Sequence, residues 1–148
     1  MFSQTVEYAL RAMAVLATGR AAQTAHQIAA SSKVPVDYLF KVLQTLGRAG
    51  LVIGVRGKHG GFSLARPAGE ISILEVVNAM DPIQRIHYCP LQIPSHGTTL
   101  CPLHRKLDAA LKTVEESLRT TSLAEVVAGP AELRPLCGGL VEVSCAVS

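Results

Sequence analysis

Aromatic residues are scarce in this chain of 148 residues: they make up 4% of it, and tryptophan is absent. Enzyme pockets are lined largely by aromatic and other apolar side chains, so the composition disfavours a small-molecule substrate site. No apolar run approaches the roughly 18 residues that a membrane helix needs, and no basic segment leads into an apolar one near Met1. We therefore expect a cytosolic protein with no membrane contact and no small-molecule substrate.

Patterns that enzymes commonly carry are also missing. No acidic residue is spaced to orient a histidine beside a cysteine, which disfavours an enzyme with Cys89 as nucleophile and His87 or His104 as base. No glycine-rich loop predicts a phosphate cradle, and no internal repeat is present. The sequence therefore predicts a protein that is not an enzyme.

Apolar residues, by contrast, make up 49% of the chain, which is ample for a continuous core. The net charge is only +3, but its distribution is uneven: residues 33–66 carry +5 and the rest of the chain carries −2. A basic module inside a slightly acidic chain is typical of nucleic-acid contact.

Three short helices are predicted in the first fifty residues. Apolar side chains at three-and-four spacing predict an amphipathic helix over residues 5–17. Thr24 can cap a second helix that ends before the polar segment 31–33, and a third helix is expected from Val36 to Ala49.

The next stretch changes to the period of a β-strand. Residues 51–56 are rich in β-branched side chains, residues 57–61 have the glycines of a turn, and residues 62–66 alternate. This pattern predicts a β-hairpin closed by Pro67. Ser72 to Glu75 then forms a capping box, which opens a fourth helix.

Residues 81–101 have no helical period and contain two cysteines, so they predict a long functional loop. Pro102 suits the first position of a helix, and an apolar stripe runs from Leu103 to Leu118. A second capping box at Ser122 predicts a short final helix. The stripe suits a dimer contact, and the alternative is a helix folded onto its own chain.

The fold class expected is mainly α with a small β-hairpin: a winged helix-turn-helix domain followed by a long dimerisation helix. We expect the DNA-binding domain over residues 1–70. Residues 71–128 would hold the connecting helix, the cysteine loop and the dimerisation helix, and residues 129–148 a carboxy-terminal tail without assignment.

A recognition helix places the side chains of its amino-terminal part on base edges in the major groove. The predicted base readers are Val36, Asp37, Tyr38, Lys41 and Gln44. Arg48 is better placed for a phosphate, and Arg56, Lys58 and His59 on the hairpin tip suit phosphate or minor-groove contact. The alternatives are an ordinary hairpin with solvated charges, or an adaptor that uses this fold to bind protein.

Four segments resemble a family of winged helix-turn-helix bacterial transcriptional regulators, the IscR/NsrR family, which is also called the Rrf family, type two. These segments are residues 7–12, 37–39, 46–52 and 55–67. The resemblance extends over about residues 1–128. It implies a homodimer that binds double-stranded DNA at a palindromic operator, most often as a repressor, with the long helices of two chains packed together.

Cys89 and Cys101 are separated by eleven residues, and His104 follows three residues later, a spacing that can converge on one metal. Thiolates with imidazole suit iron-sulfur clusters or zinc. Cluster-binding members of the similar family carry a third, middle cysteine, where this chain has Ser95. The resemblance therefore implies a ligand set of Cys89, Cys101 and His104 that lacks one thiolate.

Glu7 is the leading candidate for the missing ligand, because an acidic residue at this place in some relatives reaches the cluster of the opposite subunit. The cofactor expected is a 2Fe-2S cluster that makes DNA binding respond to redox state, nitric oxide or iron. His87 and His96 are weaker candidate ligands. The alternatives are a zinc site, a sensor that acts through thiol oxidation or a protein partner, and a protein without a cofactor. Cys137 and Cys145 are interpreted as tail thiols.

Overall fold

The structure, a computed structural model, describes residues 2–96 and 99–130. In these ranges short 3-10 helices occur at Ala68–Glu70 and Pro94–His96. The larger elements are α1 (Gln4–Thr18), α2 (Ala25–Ser32), α3 (Val36–Arg48), β1 (Val52–Val55), β2 (Gly61–Leu64), α4 (Ile73–Met80), α5 (Pro102–Thr120) and α6 (Leu123–Val127). The expected class, mainly α with a small hairpin, is confirmed.

Helix α1 lies at the centre of the core and packs against α2, α3, α4 and α6. Its side chains Val6, Ala9 and Met13 have no exposed surface. The same core includes Val76 of α4 and Leu123 of α6. The hydrophobic core is therefore continuous across the domain boundary expected near residue 70.

The turn between α2 and α3 is tighter than the polar residues at 31–33 suggest. Helix α2 continues through Ser32, which is fully buried and whose hydroxyl donates to the Ile28 carbonyl at 2.6 Å. Lys33 then adopts a left-handed conformation with φ 54°, and the Val34 amide donates to the Ala29 carbonyl. A local hydrogen bond thus allows a serine in a helical position where the sequence predicted a break.

Strands β1 and β2 form an antiparallel hairpin in which Val52 faces Leu64. The hairpin is also joined to the segment before α2, a contact that the sequence did not predict. The Gln23 amide donates to the Phe62 carbonyl at 3.0 Å, and the Phe62 amide donates to the Gln23 carbonyl at 2.7 Å. The hairpin is therefore held on the helical core as a wing.

Helix α6 closes the fold against the start of α4. Ser72 and Ser122 form an isolated antiparallel bridge, and the Leu123 amide donates to the Ile71 carbonyl at 2.8 Å. Each of these serines also begins one of the two predicted capping boxes, which are both confirmed. The two helix starts thus support each other.

Helix α5 begins at Pro102 as predicted and packs against α4. None of its 19 residues is buried. Among the described residues, none of the helices combines the length and the apolar character needed to cross a bilayer.

Candidate nucleic-acid interface

Helix α3 has one face in the core and one in solvent. The exposed face carries Asp37, Lys41, Gln44 and Arg48, which recur at three-and-four spacing and therefore lie side by side. The inward face consists of residues that are at most 1% exposed: Leu39, Val42, Leu43 and Leu46. The structure thus brings four of the predicted DNA-binding residues onto one outward surface of α3, which we call the reading face.

Two of the predicted base readers lie off the reading face. Tyr38 is half-buried, its hydroxyl lies 2.5 Å from the Thr5 hydroxyl, and its ring packs edge-on against Tyr8 at 5.3 Å. Val36 is also half-buried and contacts the core. Tyr38 supports α3 on α1, and base contacts by Tyr38 and Val36 stay predictions.

Phe40 lies on the same outward side of α3 and is 48% exposed, although the sequence analysis does not predict it as a contact. Its ring packs edge-on against His26 of α2, with the ring centres 6.3 Å apart. Selection by charge and polarity missed this residue. The signal was its position, since residue 40 falls between Asp37 and Gln44 on the polar side of the predicted helix.

The wing tip carries the other predicted contacts. Arg56, Lys58 and His59 are all exposed in the turn between β1 and β2. The turn depends on glycine, because a Cβ at Gly60 would lie 2.3 Å from the Val55 carbonyl oxygen. A close turn of this kind lets the backbone approach a phosphate chain.

The cations of this surface have no acidic partner within the described part of the chain. None of the ion pairs found there involves Lys41, Arg48, Arg56 or Lys58. Their charges are therefore available for phosphate groups.

Arg66, at the end of the hairpin, is different because it is already paired. Its guanidinium donates to Glu75 Oε1 at 2.5 Å and to the Glu70 carbonyl at 2.9 Å. Burial alone would raise the pKa of Glu75, but hydrogen bonds from the Ser72 amide and from Arg66 together hold that pKa below its ordinary value. Arg66 therefore belongs to the scaffold at the start of α4.

The cysteine loop places two of the four predicted metal ligands in contact. Cys101 is the residue that precedes α5, and its Sγ lies 3.2 Å from Nδ1 of His104 on the first turn. Cys89 is buried, and its carbonyl accepts from the Gln92 amide at 3.0 Å. Soft sulfur and imidazole donors at this spacing suit iron or zinc.

One chain does not complete a metal site in the described ranges. No group of three or more His, Cys, Asp or Glu side chains gathers there closely enough to hold an ion. Glu7 is exposed on α1 and pairs with Arg11 at 3.1 Å. Among the described residues, Cys101 and His104 are two members of the expected ligand set that lie in contact. Cys137 and Cys145 lie outside the described residues.

Arg85 fastens the start of the cysteine loop to α5. Its guanidinium donates to both carboxylate oxygens of Asp108, at 2.7 and 2.6 Å, and to Glu115 at 3.2 Å. The Ile86 amide donates to Asp108 as well. The hydrogen bonds from Arg85 hold the pKa of Asp108 at about 2, well below its ordinary value. This loop clamp keeps residues 85–86 on the helix.

Comparison with known proteins gives a family and relatives. The family Rrf2, described as an iron-dependent transcriptional regulator, matches residues 2–129. A Mycobacterium tuberculosis protein described as a candidate HTH-type transcriptional regulator is 36% identical over 133 residues, which cover 86% of this chain and 81% of the relative. A relative of the same description from Aquifex aeolicus is 29% identical over 131 residues, covering 86% and 91%.

Solved structures share the fold. CymR, the global cysteine regulator of B. subtilis, superposes with a TM-score of 0.73 at 23% identity, over 86% of this chain and 96% of CymR. IscR from T. potens superposes with a TM-score of 0.69 at 24% identity, over 86% of each chain. The chain therefore belongs to the Rrf2 family: it is a DNA-binding transcriptional regulator with a winged helix fold, and it is not an enzyme.

Proposed function

We propose that this protein acts in the cytosol as a homodimeric repressor that binds an imperfect palindrome in double-stranded DNA. The observation that carries the proposal is the pairing of two exposed basic surfaces, the reading face of α3 and the wing tip, on one hydrophobic core. The Gln23 to Phe62 hydrogen bonds fix the second surface relative to the first. A helix and a wing held in this way can occupy the major groove and the adjoining backbone together.

The reading face divides the contacts by chemistry. Lys41 and Gln44 can donate to base edges, and Asp37 can accept from the amino group of cytosine. We infer phosphate contacts for Arg48, which lies exposed in the last turn of α3, and for the exposed Arg56 and Lys58 on the wing. Base contacts of this kind specify sequence, whereas phosphate contacts set register and affinity.

Helix α5 supports the dimer. Its apolar side chains Leu103, Leu107 and Val114 are 64%, 48% and 38% exposed, so this part of the stripe is open in the described ranges, whereas Leu118 packs against the core. Burying apolar surface contributes about 25 cal/mol per Å², which favours pairing two such helices. Two copies would then present two recognition helices to half-sites about one helical turn apart.

The dimer is tested by Leu107→Glu, which places a charge in the stripe. We expect sedimentation to show monomers and operator affinity to fall. Lys112→Glu, on the polar side of the same helix, is the matched control and should remain dimeric. A dimeric Leu107→Glu protein would contradict the interface.

DNA binding is tested by the salt dependence of affinity. Arg56→Ala removes one phosphate contact per subunit, so the slope of log affinity against log salt should fall by about 1.8 for the dimer, at about 0.9 per contact. Arg105→Ala removes the same charge from α5 and should leave the slope unchanged. Gln44→Ala should instead relax preference at particular base pairs. If Arg56→Ala and Gln44→Ala bind every duplex like the parent, the placement of this interface is wrong.

We propose also that the cysteine loop is the sensor, with a 2Fe-2S cluster held by Cys89, Cys101, His104 and, from the other subunit, Glu7. The 3.2 Å contact between Cys101 and His104 supports this ligand set. Bound there, the cluster would make DNA affinity depend on redox state, nitric oxide or iron supply. Zinc at the same residues, or oxidation of the thiols, would use the same loop.

Anaerobic purification with a visible spectrum and iron, sulfide and zinc analysis separates these sensors. We expect iron and sulfide in the parent protein, their loss in Cys101→Ala, and full retention in the control Cys137→Ala. A protein that contains zinc but no iron would support a zinc site in place of the cluster. A protein without either metal would support sensing by oxidation of the thiols. Full metal loading in Cys101→Ala would exclude Cys101 as a ligand.

A further inference from the structure

We propose that Phe40 reads a thymine in each half-site by contact with the C5-methyl group in the major groove. The inference rests on the proposed placement of α3 in that groove. It adds an apolar contact to the reading face, whose other side chains are charged or carry an amide group.

The first observation is the exposure of Phe40. The other large apolar residues of the helix between positions 39 and 46 are at most 1% exposed, whereas Phe40 is 48% exposed. It lies three residues after Asp37 and four before Gln44, so it neighbours both on the surface of the amino-terminal half of α3. Recognition helices present this half to base edges.

The second observation is that the ring is supported from one side. His26, on the first turn of α2, meets Phe40 edge-on at 81° with the ring centres 6.3 Å apart. Such a contact favours one orientation of the ring and leaves its remaining surface outward. A phenyl group held in this way loses little conformational entropy when a ligand covers it.

The chemistry of the major groove then selects the partner. Base edges there present hydrogen-bond donors and acceptors, which a phenyl ring cannot satisfy, and the thymine methyl is the one apolar group. Covering the amino group of cytosine by the ring would leave a donor unpaired, which carries a free-energy penalty. Phe40 therefore favours thymine over cytosine at the position that it covers.

The test uses a duplex enriched by the full-length protein from a randomised pool at fixed salt. Each thymine of that duplex is replaced in turn by uracil (as deoxyuridine, called deoxyuracil below), which removes only the C5-methyl group. We expect one thymine per half-site whose replacement weakens binding about fourfold, and about 15-fold when both half-sites are changed, from the transfer free energy of one methyl.

Two variants decide whether Phe40 makes this contact. Phe40→Ala should bind the thymine duplex as weakly as the parent binds the deoxyuracil duplex, and should no longer distinguish the two. Lys41→Ala, the neighbouring residue, should bind more weakly but keep the sensitivity to the methyl group. Because the side chain is half exposed, thermal unfolding should show Phe40→Ala to be folded.

Two outcomes would overturn the inference while leaving the DNA-binding proposal in place: a parent protein that tolerates every deoxyuracil, or a Phe40→Ala variant that keeps the full sensitivity. A parent protein that enriches no sequence and binds no duplex would overturn both proposals. The two failures are therefore distinguishable.

Discussion

Gly61 is the residue whose substitution should most directly release the wing from the helical core. Its φ is 144°, and a Cβ there would lie 2.3 Å from the Gln23 carbonyl oxygen. Alanine would have to break the two hydrogen bonds between Gln23 and Phe62, which contribute about 0.5 to 1.5 kcal/mol each. The unfavourable φ costs about 1 to 3 kcal/mol more.

The neighbouring glycines separate these two effects. Gly57 has φ 112° but nothing within 4 Å of a Cβ, so Gly57→Ala should show the backbone strain alone. Gly54 has open space and no positive φ, so Gly54→Ala should change the free energy of unfolding by less than about 1 kcal/mol. Gly61→Ala should therefore be less stable than Gly57→Ala by about 1 to 3 kcal/mol, the contribution of the bridge.

Urea unfolding of the full chain at one protein concentration measures these differences, because the stability of the proposed dimer would depend on concentration. By this reasoning, the close approach of Gln23, in addition to backbone strain, makes glycine necessary at position 61. Equal free energies of unfolding for Gly61→Ala and Gly57→Ala would refute it.

Further predictions concern the loop clamp and the start of α4. Asp108→Asn should weaken the clamp and speed hydrogen exchange of the Ile86 amide. Arg85 lowers the pKa of Asp108 from 3.8 to about 2. The stability that the clamp contributes is therefore complete above pH 3.8 and is lost as the pH falls through about 2. Hydrogen exchange of the Ile86 amide measured across that range should follow the loss, and loss of protection at higher pH would contradict the assignment. Ser72→Ala should lower the free energy of unfolding by about 0.5 to 2 kcal/mol, whereas Ser117→Ala, inside α5, should not; equal losses would remove the capping role.

The sequence predicted those elements whose signals are local. The capping boxes at Ser72 and Ser122, the helix start at Pro102 and the glycine turn of the wing each depend on a few neighbouring residues. The bridge from Gln23 to the wing depends on tertiary approach, which no periodicity encodes. The same holds for Arg85 and Asp108, which are 23 residues apart in the chain.

For the candidate site, residue type alone selected a set of residues of which only some share the exposed face of α3. The sequence predicts Tyr38 as a base reader, but its side chain turns toward α1, whereas Phe40, which charge and polarity do not single out, is exposed to solvent. Arg66 counts in the basic charge of the segment but is paired with Glu75. Facing direction and pairing are properties of the folded chain, so charge counting overstates some residues and omits others.

Both ends of the cysteine loop meet α5, which makes this helix the element on which a signal in the loop would act. The loop begins under the clamp from Arg85 to Asp108 and ends at Cys101, which directly precedes the helix. His104 and Asp108 are four residues apart, so they lie on neighbouring turns of one face. Helix α5 packs against α4, and α4 shares its core with α1, which supports the recognition helix through Tyr38. In the proposed dimer, a chemical change at Cys101 would therefore need only to shift α5 relative to its neighbours to alter the spacing of the two proposed recognition helices.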